Sequence, residues 1–347
     1  MEEEDTRSRI AVHALTPQGA RLARGLAREL GADLYLPRKL AGEGERAFDS
    51  LTELIRDIFH RYGGHVFITA CGIAVRSVAP LLRGKALDPA VVVLDQLGRH
   101  AVSLLSGHLG GANDLARRAA AFTGGDAVIT TATDTSGLPS LDLLARDSGL
   151  AIENIEAVKT VNAGLLAGDT VQVFDPDNRL VVPPRHCRRF EWVAAPHLLE
   201  SGRPGVVVSW RETTFPPGCL ALRPRVVVAG VGCRKGVAGA EIARAVLEAL
   251  ALKGVAAKSL AAVASIEAKR GEPGLHAAAR VLGAELVFFP AAMLAEVQAP
   301  TPSAMARKHM GVDSVCEAAA MLATGSDRLL LAKVKTRTVT VALALTC

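Results

Sequence analysis

The chain has 347 residues, 50% of them apolar and only 4% aromatic, with a formal net charge of +5 at pH 7. At about 150 residues per domain, this length predicts two or three domains. The positive charge favours anionic partners, but the basic residues are scattered and few aromatic side chains accompany them, which argues against a nucleic-acid-binding protein. The six cysteines show no Cys-x-x-Cys spacing, so a structural zinc site is not expected.

The start of the chain and its apolar stretches argue against export and membrane insertion. The first residues read Met-Glu-Glu-Glu-Asp and lack the basic and then apolar pattern of a signal peptide. Apolar stretches such as 243–262 are interrupted by charged residues before they would span a bilayer. We therefore expect a cytoplasmic protein with reduced thiols and no membrane partner.

Strand and helix signals alternate from the N-terminus to about residue 133. Ile10–Leu15 has strand character, and Thr16-Pro17 is typical of a helix start, which predicts a helix that ends before Gly31. This alternation predicts a parallel sheet with helices on its faces. The remaining predicted elements here are helices at 49–62 and 113–121 and strands at 65–69, 90–94, 101–105 and 127–130.

Two segments rich in proline and glycine divide the rest of the chain, one at 135–140 and one at 214–224. The sequence thus predicts an α/β fold with several domains and with parallel or mixed sheets flanked by helices. The predicted domains are an N-terminal α/β domain (1–135), a small α+β middle domain (136–222) and a C-terminal α/β domain (223–347). Their predicted elements are helices at 141–148, 155–166 and after Gly236, and strands at 170–174, 180–182, 205–209, 225–230 and 338–345.

Three polar, glycine-rich strings follow predicted strands of the N-terminal domain: Cys71–Pro80, Ser103–Asp114 and Thr130–Asp134. Open α/β sheets bind ligands where strands give way to loops and helices. These strings are therefore the first candidates for a functional site.

His108 is placed by its string on a glycine-rich turn just before a predicted helix. The amides of Gly110 and Gly111 would lack partners within that helix, so with the helix dipole they would hold a carboxylate or a developing oxyanion. His108 is then a candidate general base or acid, because its ordinary pKa lies nearest neutrality. The alternative is a helix-entry turn with a packed histidine.

Arg76 and Asp134 are further candidates in the N-terminal strings. Arg76 suits a bidentate grip on a carboxylate, the alternative being a surface salt bridge. Asp134 would orient a histidine or accept a substrate proton, the alternative being a helix N-cap or an Asx turn. The candidate substrate-binding residues beside them are Asn113, Thr130 and Thr131.

Gly230–Gly236 follows a strand and precedes a helix, as a phosphate-binding loop does. It lacks the Gly-Lys-Ser/Thr end of a Walker A motif, and its third glycine is one place late for Gly-x-Gly-x-x-Gly. A nicotinamide-dependent oxidoreductase is thus a weak alternative, since 250–254 also lacks the expected acid. Cys233 lies beside Arg234 and Lys235, which would depress its pKa if it were exposed, whereas a buried thiol would be inert.

Lys269 and Glu272 lie just before Pro273 and a predicted helix. An acid at this position stabilises a helix start without any ligand. The functional alternative is that both residues, with Ser303 and Glu317, line a second wall of one substrate cleft. Lys269, Glu272 and Ser303 are therefore candidate substrate-binding residues.

The strings of both chain ends, in this order, resemble the CbiG family of cobalamin-biosynthesis proteins, the cobalt-precorrin-5A hydrolases of the oxygen-independent pathway. The region 137–223 matches only loosely. The strings that carry the resemblance lie at 71–80, 103–114 and 130–134 and at 228–236, 264–275, 301–303, 311–317 and 338–342.

The resemblance implies an enzyme that opens the δ-lactone on ring A of cobalt-precorrin-5A with water and releases acetaldehyde, giving cobalt-precorrin-5B. Cobalt comes with this tetrapyrrole, so no cofactor and no resident metal are expected. Neighbouring pathway methyltransferases and a second copy of the chain are further candidate partners. His108 with Asp134 would activate water, while Arg76 and the Gly110–Gly111 amides would stabilise the oxyanion. A non-catalytic tetrapyrrole-binding or handover protein is the main alternative.

Overall fold

The computed structural model describes residues 9–84, 87–108, 110–303, 307–308 and 310–346. These residues form three β-sheets with accompanying helices. The chain divides into two compact units, Met1–Leu143 and Leu144–Cys347. Among the described residues, no helix combines the length and the apolar character needed to cross a membrane.

The first unit contains a seven-stranded sheet in the order β3-β2-β1-β4-β5-β6-β7. Its strands are β1 (Ile10–Ala14), β2 (Asp33–Pro37), β3 (Arg46–Phe48), β4 (Gly64–Ile68), β5 (Ala90–Leu94), β6 (His100–Leu105) and β7 (Asp126–Val128). Its helices are α1 (Pro17–Leu30), α2 (Leu51–Ile58), α3 (Cys71–Val78), α4 (Ala112–Thr123) and α5 (Ala132–Thr135), and α6 (Leu141–Asp147) runs across the end of the unit.

Helix α1 shows how the local sequence produces these elements. The Thr16 hydroxyl accepts a hydrogen bond from Gly19 N at 3.0 Å, and Gly31 ends the helix with φ +62°, as capping rules require. Its alanine and leucine face packs on strands β1, β2 and β4, and every residue of β4 and of the neighbouring β5 is buried. The predicted helix is therefore confirmed.

All pairs of the first sheet are parallel except β5 with β6. Leu105 at the end of β6 pairs with Val91 near the start of β5, whereas Ile68 at the end of β4 pairs with Leu94. The string that follows β4 thus begins at one edge of the sheet, and the strings that follow β6 and β7 begin at the other. Strand β5, of five residues, separates the two edges by about 13 Å.

The second unit contains two five-stranded sheets. The first has the order β10-β9-β11-β12-β8, and only β12 with β8 is antiparallel. Its elements are β8 (Leu150–Ile152), α7 (Ile155–Ala167), β9 (Val171–Phe174), β10 (Phe190–Trp192), β11 (Gly205–Val208) and β12 (Leu220–Pro224).

The predicted strand at 180–182 is wrong, because side-chain oxygens accept the hydrogen bonds of its backbone amides. Leu180 N donates to Asp175 Oδ2 at 2.7 Å, and Val181 N donates to Ser148 Oγ at 2.9 Å. With these amides bound to side chains, the segment has no ladder partner and forms a loop.

The other sheet of the second unit has the order β15-β14-β13-β17-β16. Strands β13, β14 and β15 are parallel, and β17 is antiparallel to both of its neighbours. The elements are β13 (Val227–Cys233), α8 (Gly239–Leu252), β14 (Leu260–Ile266), α9 (Pro273–Leu282), β15 (Glu285–Phe289), α10 (Ala291–Ala295), α11 (Val315–Thr324), β16 (Leu329–Lys335) and β17 (Val339–Leu345).

Gly230 and Gly232 lie inside β13 and allow close packing. A Cβ at Gly230 would collide with the carbonyl oxygen of Cys316 on α11, and a Cβ at Gly232 would lie 2.7 Å from Thr340 Oγ1 on β17. Both glycines are therefore explained by the approach of neighbouring elements. These two glycines therefore require no nucleotide to explain them, which weakens the interpretation of Gly230–Gly236 as a nucleotide loop.

Candidate active site

His108 lies between two carboxylates at the sheet edge where β6 and β7 end. Its Nε2 is 3.1 Å from Asp134 Oδ2, and its Nδ1 is 3.4 Å from Asp142 Oδ2. The loop after β6 supplies His108, helix α5 supplies Asp134, and the start of α6 supplies Asp142. The imidazole is 18% exposed and the Asp142 side chain 7%, so water is only partly excluded from the histidine.

Two buried hydroxyls complete the surroundings of the imidazole. Thr133 Oγ1 lies 3.1 Å from Nε2, and Ser140 Oγ lies 3.2 Å from Nδ1. Ser140 also donates a hydrogen bond to Asp142 Oδ1. Each ring nitrogen of His108 therefore contacts one carboxylate and one hydroxyl.

The two carboxylates favour the protonated form of His108. The hydrogen bond with Asp142 raises the pKa of His108 above its ordinary value; burial acts against this, and Asp134 adds to it. Burial raises the pKa of Asp142, but the hydrogen bonds with His108 and Ser140 outweigh it, so the net pKa is lowered. The imidazolium and the carboxylate thus stabilise each other.

Asp134 is held by several donors. Its Oδ2 accepts hydrogen bonds from Thr131 Oγ1 at 2.7 Å and Asn113 Nδ2 at 2.9 Å, and its Oδ1 accepts one from Arg117 Nη2 at 2.6 Å. Burial raises the pKa of Asp134, yet the hydrogen bonds from Thr131, Arg117 and His108 lower it further than burial raises it. Asp134 is thus suited to orienting His108 and poorly suited to accepting a substrate proton.

Asn113 is a positioning residue in this arrangement. Its side chain is buried, and its Oδ1 accepts a hydrogen bond from Ser103 Oγ at 2.6 Å. Its Nδ2 donates to Thr131 Oγ1 at 3.0 Å as well as to Asp134. Thr130, the neighbouring candidate, is exposed, and its role in substrate binding stays a prediction.

The glycine turn does not present the row of free amides that the sequence predicts. Gly111 N donates to His108 O at 2.8 Å, and Ala112 N donates to Ser106 O at 3.1 Å. The prediction that the Gly111 amide holds an oxyanion is therefore wrong, because the loop itself uses that donor. Gly110 N has no acceptor among the described residues, and a Cβ at Gly110 would collide with Ser106.

Arg76 lies on α3, which starts at the opposite edge of the sheet. Its guanidinium is exposed and donates to Gly72 O at 3.1 Å. Within the described part of the chain, no contact joins Arg76 to His108 or Asp134. A role for Arg76 on a substrate carboxylate stays a prediction.

The candidates in the second unit form two separate polar groups. Lys269 Nζ donates to Glu272 Oε1 at 3.0 Å, and Glu272 Oε2 accepts from Gly236 N at 3.0 Å. Glu317 is fully buried and accepts from Thr301 Oγ1 at 2.8 Å. Lys269 and Ser303 line one cavity of this unit. Their role in substrate binding stays a prediction.

Cys233 lines the same cavity but is not activated. Burial raises the pKa of its thiol, which outweighs the lowering by Lys269. The alternative of an inert, partly buried thiol is therefore the better one. Among the described residues, no group of three or more histidine, cysteine, aspartate or glutamate side chains is arranged to hold a metal ion.

Sequence reasoning missed Thr133, Ser140, Asp142 and Arg117. Ser140 and Asp142 lie beyond residue 135, where the predicted N-terminal domain ends, yet they fall within the first compact unit. A signal was present: Ser140-Leu-Asp142 follows Pro139 at the start of a predicted helix. That pattern is also typical of ordinary helix capping, so it gave no separate indication that Ser140 and Asp142 contact His108.

Three family models match successive parts of the chain. They are described as Cobalamin synthesis G N-terminal (residues 53–134), Cobalamin biosynthesis central region (139–224) and Cobalamin synthesis G C-terminus (227–344). A cobalt-precorrin-5A hydrolase of Priestia megaterium is 33% identical over 363 residues, which cover 98% of this chain and 95% of the relative. The chain belongs to the CbiG family. The resemblance inferred from the sequence strings is confirmed.

A second hydrolase relative agrees with this membership. A cobalt-precorrin-5A hydrolase of Salmonella typhimurium is 38% identical over 319 residues, covering 90% of this chain and 91% of the relative. A crystal structure of a cobalamin biosynthesis protein G homologue from Sulfolobus solfataricus is 21% identical with a TM-score of 0.40, covering 98% and 97% of the two chains. Family and hydrolase relatives together support an enzyme of cobalamin biosynthesis with hydrolase activity.

Proposed function

We propose that this protein hydrolyses cobalt-precorrin-5A, opening the δ-lactone on ring A with water and releasing acetaldehyde to give cobalt-precorrin-5B. Hydrolase relatives at 33% and 38% identity over most of the chain support the reaction class. The observation that carries the chemistry is the placement of His108 between Asp134 and Asp142. A histidine held in this way is suited to moving a proton at a reacting centre.

In the first step, His108 acts as the general base toward water. Its Nδ1 keeps a proton directed at Asp142, so Nε2 of the neutral ring takes the proton from the water that attacks the lactone carbonyl. The oxygen of that carbonyl becomes an oxyanion, for which the Gly110 amide, without an acceptor among the described residues, is the candidate donor. The imidazolium that forms is stabilised by Asp134 and Asp142.

In the second step, the imidazolium returns its proton to the leaving oxygen as the ring carbon–oxygen bond of the lactone breaks. The two-carbon unit is still joined to the macrocycle by a carbon–carbon bond, and it now gives its hydroxyl proton to the neutral Nε2 of His108. As acetaldehyde leaves, the electron pair of the broken carbon–carbon bond stays on the macrocycle, which takes up the proton. Water supplies the one oxygen that the new carboxylate gains. The scheme requires no oxidant, no nucleotide and no metal beyond the cobalt of the substrate.

The reaction is tested with purified protein and cobalt-precorrin-5A under anaerobic conditions, without added nucleotide or metal. We expect stoichiometric acetaldehyde, trapped and quantified as a hydrazone. Folded protein that binds the authentic substrate but releases no acetaldehyde would instead fit the handover protein. We place the reaction in the cytoplasm; contacts with neighbouring pathway methyltransferases and self-association stay predictions.

A further inference from the structure

A cavity of about 350 Å³ in the second unit carries many cationic side chains. The end of β13, the start of α11 and the hairpin of β16 and β17 contribute to its lining. Ile266, Met310 and Val315 give it an apolar wall. The basic residues of the lining are Arg234, Lys269, Lys333, Lys335 and Arg337.

Two of these five cations are mostly shielded from solvent and already paired. Lys269, 13% exposed, is bound to Glu272. Lys333, 6% exposed, donates to Thr301 O and lies 4.0 Å from a carboxylate oxygen of the buried Glu317. Their charges therefore contribute little net field to the cavity.

The other three cations lie at the rim and are exposed: Arg234, Lys335 and Arg337. None of them has an ion-pair partner within the described part of the chain. A concave site with three unpaired cations attracts anions and holds them more strongly than a flat surface does.

The backbone of this rim is held in place before any ligand binds. Arg234 N donates to Thr338 O at 3.0 Å, which ties the end of β13 to the hairpin. Thr336 Oγ1 accepts from Val339 N at 2.9 Å and closes the hairpin turn. A preorganised rim reduces the entropy lost on binding.

We infer that this cavity binds carboxylate arms of the tetrapyrrole, and the inference rests on the proposed function. Its volume is at the low end of the range for ligand pockets, about 300–1,000 Å³, so it admits arms of the macrocycle rather than the whole ring. The guanidinium groups of Arg234 and Arg337 bind carboxylates in a bidentate manner. The apolar wall suits the methylene groups of acetate and propionate arms.

The test uses the full chain and cobyrinic acid, a cobalt corrinoid with free carboxylate arms, in a calorimetric titration. The variant Lys335→Gln/Arg337→Gln removes two rim cations while keeping polar side chains. We expect its affinity for cobyrinic acid to fall about tenfold or more per lost charge-assisted contact. The variant Lys253→Gln, at an exposed position that does not line the cavity, is the control and should bind as the wild type does.

A second probe distinguishes binding through the carboxylates from binding through the corrin ring. The fully methyl-esterified corrinoid keeps the ring but carries no carboxylates, so it should bind wild type and double variant equally weakly. Equal affinity of wild type and double variant for cobyrinic acid would overturn the inference. Displacement of cobyrinic acid by inorganic phosphate at similar concentrations would also overturn it, and would assign the cavity to a free anion.

The inference and the proposed function fail in different ways. If the function fails, acetaldehyde is absent while cobyrinic acid still binds and the double variant still weakens that binding. If the inference fails, acetaldehyde is released and the double variant binds normally. When both hold, the double variant raises KM for cobalt-precorrin-5A, because the lost rim cations weaken binding of its carboxylate arms.

Discussion

His108 differs from an ordinary surface histidine because each ring nitrogen faces a carboxylate. In the imidazolium form both N–H groups have an acceptor, Asp134 on one side and Asp142 on the other. In the neutral form Nε2 loses its proton, and its lone pair then faces the Asp134 carboxylate, which is unfavourable. The Thr133 hydroxyl, 3.1 Å away, can offset this by donating a hydrogen bond to Nε2. The residue therefore takes up a proton readily and gives it up only when the reaction provides a destination.

Replacing His108 by asparagine tests its part in the reaction. We expect the rate of acetaldehyde release to fall about 10²- to 10⁴-fold, the usual contribution of a general base, while corrinoid affinity stays within a few-fold. The loss of a cation between two carboxylates should also lower the melting temperature modestly. His100→Asn, at an exposed histidine of β6, is the matched control. Normal turnover of folded His108→Asn protein would remove His108 from the mechanism.

The pH dependence of the rate tests the effect of Asp142. In the proposed mechanism the base is the neutral imidazole, and the pKa of His108 is raised, so the rate should increase with pH through an apparent pKa above about 6.5. Asp142→Asn removes an anion that stabilises the imidazolium, so the proton leaves at lower pH and the acidic limb moves toward lower pH. Profiles of kcat/KM from pH 5 to 9 for wild type and Asp142→Asn measure this shift. An acidic limb that does not move would show that Asp142 has no electrostatic effect on the base.

The direction of strand β6 determines at which edge of the sheet the candidate active site lies. The sequence predicts β5 and β6 correctly, but the prediction of a parallel sheet misses their antiparallel pairing. The signal was the connection of only five residues, 95–99, which is too short for a parallel crossover. Asp95 stabilises this turn by accepting hydrogen bonds from Leu97 N and His100 N, both at 2.8 Å.

The packing of α11 on β13 gives a stability prediction. Gly230→Ala would drive a Cβ into the backbone carbonyl of Cys316, which no side-chain rotation relieves. We expect a loss of about 1–3 kcal/mol in the free energy of unfolding. Gly271→Ala, where the added Cβ meets no atom within 4 Å, is the control and should be nearly neutral. Urea denaturation of both variants compares them, and equal stability would show that α11 shifts at no cost.

Two buried histidines of the first unit make the fold sensitive to acid. His13 Nε2 lies 3.1 Å from His65 Nδ1, and His65 Nε2 is 3.0 Å from Phe59 O, all within an aromatic part of the first unit. Burial lowers the pKa of His13 well below its ordinary value and that of His65 to about 4. Both rings are therefore neutral in the folded protein near pH 7.

Because the unfolded chain binds these protons at about pH 6.5 and the folded chain does not, stability should fall as the pH decreases from 6.5 toward 4. Each histidine contributes a loss of up to about 1.4 kcal/mol per pH unit in this window. His13→Leu/His65→Leu should flatten the dependence, whereas His197→Asn, at an exposed position, should not. Melting temperatures measured over this pH range give the pH dependence of stability. An NMR titration of the wild-type imidazoles checks the lowered pKa values directly. A wild-type melting temperature constant over this window would contradict the prediction.

The sequence predicts those features of the molecule that local patterns determine. The apolar runs of β4 and β5 and the capped helix α1 are found near their true bounds, and His108 and Asp134 are found as a pair. The contact of His108 with Asp142 escapes prediction because it depends on how the chain returns after α5. Local signals at Ser140 indicate a helix start and contain no information on which side chain that helix start will meet.

Because β6 runs antiparallel to β5, the candidate active site lies outside the parallel core of the first sheet. Strands β2, β1, β4 and β5 form a continuous parallel layer, while the groups that surround His108 follow β6 and β7. Substitutions that exchange one aliphatic side chain for another in the layer should therefore change thermal stability and leave turnover nearly untouched. Protein engineering can accordingly improve the thermal stability and the turnover of this enzyme at different residues, so that a gain in one need not reduce the other.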